Sequence, residues 1–240
     1  MIVVLCEGAL DMEFLACIFE NKGFKRIKHE KNYIYKKLGL KYQKYIVLRN
    51  KEELVIFYPK SGGYKAVLNT AKDISTQIDW KRRGVARVIL AIDLDDKDVK
   101  NRLTAIEDSL KSVYDVEKRA DYTFKCTKNA HEFLFTVVPL GDLNLQRKIN
   151  IIQEKCMIED LILSLILIKD KYRELCEQSI ELYEHKIKEK PNQKALLRML
   201  ESFCKNPEKG AYEFLSELKE ELWTILPEHV RESIEESTFF

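Results

Sequence analysis

The sequence predicts an α/β fold: a mostly parallel sheet flanked by helices, followed by an all-helical C-terminal extension. Three observations lead there. Short, apolar, β-branched runs at Ile2–Cys6 and Val85–Ile92 have the character of strands covered on both faces. Helix-spaced apolar residues lie between such runs, the alternation that builds parallel sheets. From about residue 156 the β-branched runs stop, and apolar residues at helical spacing take over, as in Leu161, Leu165, Ile168, Tyr172 and Leu175.

The elements follow in order. Ile2–Cys6 is the first strand. Asp11 opens a helix with Phe14, Leu15, Ile18 and Phe19 on one face and Gly23 as its stop. Residues 24–52 are basic, aromatic and without a clear period. Glu53–Tyr58 reads as a strand, and Ser61-Gly62-Gly63 turns it into a helix that runs to about Arg83, where Gly84 closes it. Val85–Ile92 is the next strand, and a helix covers roughly 97–114. Residues 121–127 and 131–138 read as an edge hairpin, and Pro139-Leu140-Gly141-Asp142 breaks the pattern. Pro191, Pro207 and Pro227 then punctuate helices near their starts. The expected division is an α/β domain over 1–150 and a helical extension over 151–240.

The chain has 240 residues, 45% hydrophobic and 33% charged, so it buries a substantial core and is not globally disordered. Its net charge of +2 does not by itself announce a nucleic-acid binder. The six cysteines form no C-x-x-C pair, and no His stands at zinc-ligand spacing. Reduced, structural cysteines fit a cytoplasmic protein. The apolar start lacks a basic leader and a small-residue cleavage site, and the run around Leu161–Ile168 is too short to span a bilayer. The expectation is therefore no membrane association.

The residues that carry chemistry are acids at strand ends. Glu7 ends the first strand, and Gly8 after it lets the chain turn. Asp93, Asp95 and Asp96 end the strand 80 residues on. In an extended segment Asp93 and Asp95 point to one side, with Leu94 turned to the core. If the two strands are parallel neighbours, these carboxylates gather on the edge where open α/β sheets bind ligands. They would repel one another there unless a hard cation neutralised them. Capping accounts for Asp11, and a solvated loop or helix cap accounts for Asp96, which leaves both as accessory acids. An EF-hand beginning at Asp93 fails, because Lys97 and Thr104 stand at its fifth and twelfth positions. No P-loop, dinucleotide-binding glycine motif, kinase signature or hydrolase elbow is present.

Glu7-Gly8-x-x-Asp11 after a strand, followed later by Asp93-x-Asp95 at a strand end, resembles the Toprim domain family of primases, topoisomerases, OLD-type nucleases and small primase-like proteins. The Ser61-Gly62-Gly63-Tyr64-Lys65 turn is similar to one in many members, and the resemblance covers residues 1–140. It implies a Rossmann-like fold and Mg²⁺, or Mn²⁺, held by Glu7, Asp93 and Asp95. It also implies phosphodiester chemistry on nucleic acid, as a nuclease or a primase-like nucleotidyl transferase. Gly62, Gly63 and Lys65 would meet phosphate at a helix start. Lysines over residues 25–44, interleaved with Tyr33, Tyr35, Tyr42 and Tyr45, suit DNA or RNA; they equally suit an edge that resists aggregation. The alternative is a non-catalytic nucleic-acid or nucleotide-binding module of a repair or defence complex. The helical extension has apolar surface enough for a homodimer.

Overall fold

The computed structural model describes residues 1–27, 34, 36, 38–40, 46–51, 53–145, 148–153, 155–204, 210–218 and 221–238. The chain divides into two compact units. One comprises Met1–Ile92, Val99–Pro139 and Glu228–Phe240; the other comprises Asp93–Asp98 and Leu140–Pro227.

The first unit is built on an eight-stranded sheet. Its strands are β1 (Ile2–Cys6), β2 (Lys25–Arg26), β3 (Ile46–Arg49), β4 (Leu54–Pro59), β5 (Arg87–Asp93), β6 (Asp115–Lys118), β7 (Thr123–Lys128) and β8 (His131–Leu140), in the spatial order β2-β3-β4-β1-β5-β8-β7-β6. Parallel pairing occupies the centre: β1 runs parallel to β4 with Cys6 opposite Pro59, and to β5 with Cys6 opposite Ala91. Outward from there, β3–β4, β2–β3, β7–β8 and β6–β7 are antiparallel. The mostly parallel sheet expected from sequence is therefore a mixed sheet with a parallel centre. The β7–β8 hairpin was expected, and Asn129 and Ala130, at φ 50° and 61°, make its two-residue turn. The difference lies in β2 and β3, which fall in the stretch without a clear period, and in β6. β6, with the sequence DVEK, is a mostly exposed edge strand, so burial left no apolar pattern to read.

The central strands are apolar because they are covered. Every residue of β1 is buried. Helix α1 (Ala9–Asn21) buries Phe14, Leu15, Ile18 and Phe19, each contributing about 1.5–3 kcal/mol. The Phe19 ring meets Phe24 and Phe57 edge-on at centroid distances of 5.4 and 5.8 Å. The single helix expected over 64–83 is two, α2 (Gly63–Lys72) and α3 (Ile74–Arg82). Asp73 makes the break. Its N–H still closes α2 on the Asn69 carbonyl, while its carboxylate accepts the Ser75 and Thr76 amides and both their hydroxyls. Helix α4 (Val99–Lys111) adds Ile106 and Leu110 to the core. Helix α10 (Glu228–Thr238) belongs to this unit. Its Glu236 carboxylate accepts the Tyr122 amide at 2.9 Å and the Thr123 hydroxyl at 3.0 Å, and its carbonyl accepts the Arg87 guanidinium.

The second unit is helical: α5 (Ile158–Ile166), α6 (Asp170–Ile187), α7 (Gln193–Ser202), α8 (Gly210–Glu217) and α9 (Leu222–Ile225). Nearly all of α5 is buried among the others. Tyr172 of α6 packs edge-on against Phe214 of α8 at 5.0 Å, and its hydroxyl donates to Glu217 at 2.7 Å. Among the described residues, no helix is long and apolar enough to cross a membrane. All six cysteines are free thiols.

Candidate functional site

In the sheet-bearing unit, β1 delivers the chain to Glu7 and Gly8 at its carboxyl end. Gly8 is the N-cap of α1, and Asp11 stands three residues into it. Asp11 was expected at the N-cap itself. It does the same work from inside the first turn, its carboxylate accepting the Gly8 amide at 2.9 Å. At 3% exposure it is a structural acid that also suits the positive end of the helix. Glu7 is half-buried. The Cys6 thiol is pushed well above its ordinary pKa, first by burial and then by the Asp11 and Glu7 charges, so it stays protonated.

β4 brings the Gly62-Gly63 turn to the same edge, since the Lys60 amide donates to the Cys6 carbonyl at 2.8 Å. Gly62 and Gly63 take φ of 118° and 62°, the left-handed region where side chains are strained. A Cβ on Gly63 would lie 3.3 Å from Glu7 Oε2. The Glu7 carboxylate thus rests against the bare backbone of the turn. Lys65 is exposed on the first turn of α2. Glu7, Gly62 and Gly63 come together in this unit, with Lys65 on the turn of helix that follows.

In the helical unit, Asp93 is half-buried, and its Oδ1 accepts the amide of Ile158, the first residue of α5, at 2.9 Å. Leu94 is fully buried, as its alternation predicts. The extended conformation stops at Asp95, which takes φ 54°. The rule that residues two apart face one side therefore does not extend from Asp93 to Asp95. Asp95 and Cys156 exchange two backbone hydrogen bonds of 2.7 Å, and Lys155 Nζ lies 3.7 Å from the Asp95 carboxylate. Asp96 is exposed.

Two acids of this unit escaped the sequence reading. Asp142 is buried and accepts the Ser164 hydroxyl at 2.5 Å, Lys148 Nζ at 2.7 Å and the Asn144 amide at 2.8 Å. Burial raises its pKa, but these hydrogen bonds outweigh it and hold the carboxyl below its ordinary range. Asp160 is fully buried and accepts the Met157 amide at 2.6 Å, the arrangement seen at Asp11. Burial lifts its pKa to about 7, and the Glu159 and Asp142 charges push the same way. The Cys156 thiol is raised by burial and then by the Asp160, Asp142, Asp93 and Asp95 charges. The available signal was Gly141-Asp142 after a strand, the same glycine-and-acid pairing that marks Glu7-Gly8. The neighbour of Asp160, Glu159, lies 3.9 Å from Lys194.

Among the described residues, no group of three or more His, Cys, Asp or Glu could hold a metal ion. Of the basic and aromatic residues expected to meet nucleic acid, Lys28, Lys31, Lys37, Lys41, Lys44 and the four tyrosines lie outside the described residues. Lys25 and Lys36 are exposed. Arg26 is held by Glu13 at 3.0 Å and Glu20 at 2.8 Å, so it ties β2 to α1.

Comparison with known proteins adds the fold and a family. The profile of a family described as "Protein of unknown function (DUF3226)" matches residues 1–231. The crystal structure of hypothetical protein PH0156 from Pyrococcus horikoshii OT3 is similar, with a TM-score of 0.60 and 18% identity over 98% of this chain and 92% of that one. That likeness supports the α/β architecture alone. Hypothetical protein SA1046 from S. aureus aligns with a TM-score of 0.19 and 14% identity, over 57% of this chain and 90% of that one. No curated protein matches the sequence.

Proposed function

The chain belongs to the DUF3226 family, and from that premise, which brings no activity with it, we propose Mg²⁺-dependent phosphodiester chemistry on nucleic acid through a Toprim-type acidic site. The activity is that of a nuclease or a primase-like nucleotidyl transferase. One observation carries the reading. β1 and β5 are parallel neighbours with Cys6 opposite Ala91. The next residues, Glu7 and Ile92, leave on one edge of the sheet, and Asp93 closes β5. This is the edge where open α/β sheets bind their ligands.

Glu7, Asp93 and Asp95 would be the ligands in this reading, although as they stand no three acids among the described residues form a metal-holding group. Oxygen donors of this kind suit Mg²⁺, which commonly uses one or two carboxylates and keeps several waters. When bound, the ion supplies neutralisation of phosphate charge. The protein's own groups do the rest. The Ile158 amide fixes one oxygen of Asp93 and so orients the other. The backbone bridge to Cys156 holds Asp95 in its left-handed conformation. Glu7, lying against Gly63, accepts or returns a proton. The first amides of α2 and Lys65 attract phosphate.

The test uses the full chain with labelled single- and double-stranded DNA and RNA, in Mg²⁺ or Mn²⁺. Cleavage or extension that disappears in Asp93→Asn/Asp95→Asn, with the circular dichroism of the parent retained, supports the reading. Nucleic-acid binding that persists in EDTA, with no turnover in either metal, assigns the acids to a binding module instead.

A further inference from the structure

A cavity of about 580 Å³ opens in the sheet-bearing unit beside Arg87 and Val88, the first two residues of β5. This is the opposite strand end from the one that leads to Asp93, so the acids of the proposed site have no part in it. Its buried wall is apolar and includes Trp80, Val85, Val88 and Phe133. Four cations line it as well, Lys81, Arg87, Arg119 and Lys125, against one carboxylate, Glu132. Lys125 already engages that carboxylate at 2.5 Å, Arg119 pairs with Glu117 at 3.0 Å, and the Arg87 guanidinium donates to the Glu236 carbonyl, which leaves Lys81 as the cation the wall offers first. Lys81 Nζ donates to the Glu132 carbonyl at 2.6 Å and stands 5.8 Å from the Phe133 ring centroid, where apolar wall meets charge. Arg87 is only 5% exposed, so its guanidinium forms a desolvated part of the wall.

The volume falls within the range of small-molecule sites, which combine an apolar lining with a few convergent polar groups. The surplus of cations sets the sign of the ligand. We propose that this cavity binds a small organic anion: an apolar ring or chain carrying one carboxylate or phosphate. The apolar body lies against Val88 and Phe133, and the anionic head meets Lys81 and Arg119, the two exposed cations. The exposed cations attract the anionic head while the apolar body leaves water against the buried wall. This inference is independent of the metal reading.

The probe is 8-anilinonaphthalene-1-sulfonate, titrated by fluorescence into the full chain in EDTA, with its neutral analogue N-phenyl-1-naphthylamine alongside. The expected result is saturable one-to-one binding of the sulfonate, about tenfold or more tighter than the neutral probe. Lys81→Ala/Arg119→Ala removes most of that difference. Ala120→Trp, which fills the cavity, abolishes binding of both probes. Circular dichroism of each variant establishes that it is folded, and the surface charge variant serves where the tryptophan does not fold. Displacement by AMP or by decanoate supports the proposal and identifies the body as a ring or a chain. Equal binding of the two probes, non-saturable binding, no effect of either variant, or displacement by neither competitor overturns it.

Discussion

Gly63 shows how one missing side chain can organise an acidic group. At φ 62°, with Glu7 Oε2 3.3 Å from where a Cβ would stand, the position combines backbone strain with a close neighbour. Gly63→Ala is expected to destabilise the protein by about 1–2 kcal/mol and to lower any Mg²⁺-dependent activity by displacing Glu7. Urea unfolding and the cleavage assay measure the two effects. Activity equal to the parent would remove Glu7 from the chemistry. Asp160 offers a second test. Its carboxyl has a pKa of about 7 in the folded protein and an ordinary value of 3.8, so the native state holds a proton that the unfolded chain releases. The resulting stability is fully present below about pH 4 and is lost as the pH rises through 7. Asp160→Asn should therefore flatten the pH dependence between those limits and be the more stable protein at pH 8. Urea midpoints at pH 5 and pH 8 decide it, and parallel shifts in both proteins would refute it. Glu7 and Asp93 were legible because an acid after a run of buried β-branched residues stands out. Asp160 was not, since an acid in a helical first turn looks the same whether it faces water or the interior.

At the scale of elements, Asp73 is decisive. It ends α2, begins α3 and accepts four hydrogen bonds from Ser75 and Thr76, which hold its pKa below the ordinary carboxylate value. Asp73→Ala is expected to cost about 1–2 kcal/mol, seen as a lower urea midpoint at pH 7. The depressed pKa places this stabilisation above the ordinary value of 3.8, and it is lost as the pH falls below that. The gap between parent and variant should therefore narrow in acid, and a constant gap would mean that the hydroxyls rather than the charge matter. Apolar spacing runs on through residues 64–83 without a gap, so a capping aspartate inside it reads as one more polar position. The central strands were readable from burial alone. Of the antiparallel margins, the hairpin of β7 and β8 was readable, whereas β6 was not, because it is exposed, and neither were β2 and β3, which lie in the basic, aromatic stretch without a clear period.

At the scale of the molecule, the sheet depends on a helix far along the chain. Glu236 of α10 closes the Tyr122 amide, the Thr123 hydroxyl and the Arg87 guanidinium. Glu236→Ala is expected to cost about 1–3 kcal/mol, since it leaves the Tyr122 amide without its acceptor. Faster hydrogen exchange at Tyr122 would report it, and unchanged exchange would mean that water replaces the carboxylate at no cost. Helical spacing identifies residues 228–238 as a helix but carries no record of which elements it packs on, because pairing between distant segments leaves no local pattern. The unit that contains the sheet is interrupted by Asp93–Asp98 and by Leu140–Pro227. On the ribosome, Tyr122 emerges long before its partner: all of Leu140–Pro227 must be translated before Glu236 leaves the exit tunnel. At roughly 5–20 residues per second, the nascent sheet waits seconds with that position open, an interval in which a chaperone could engage it.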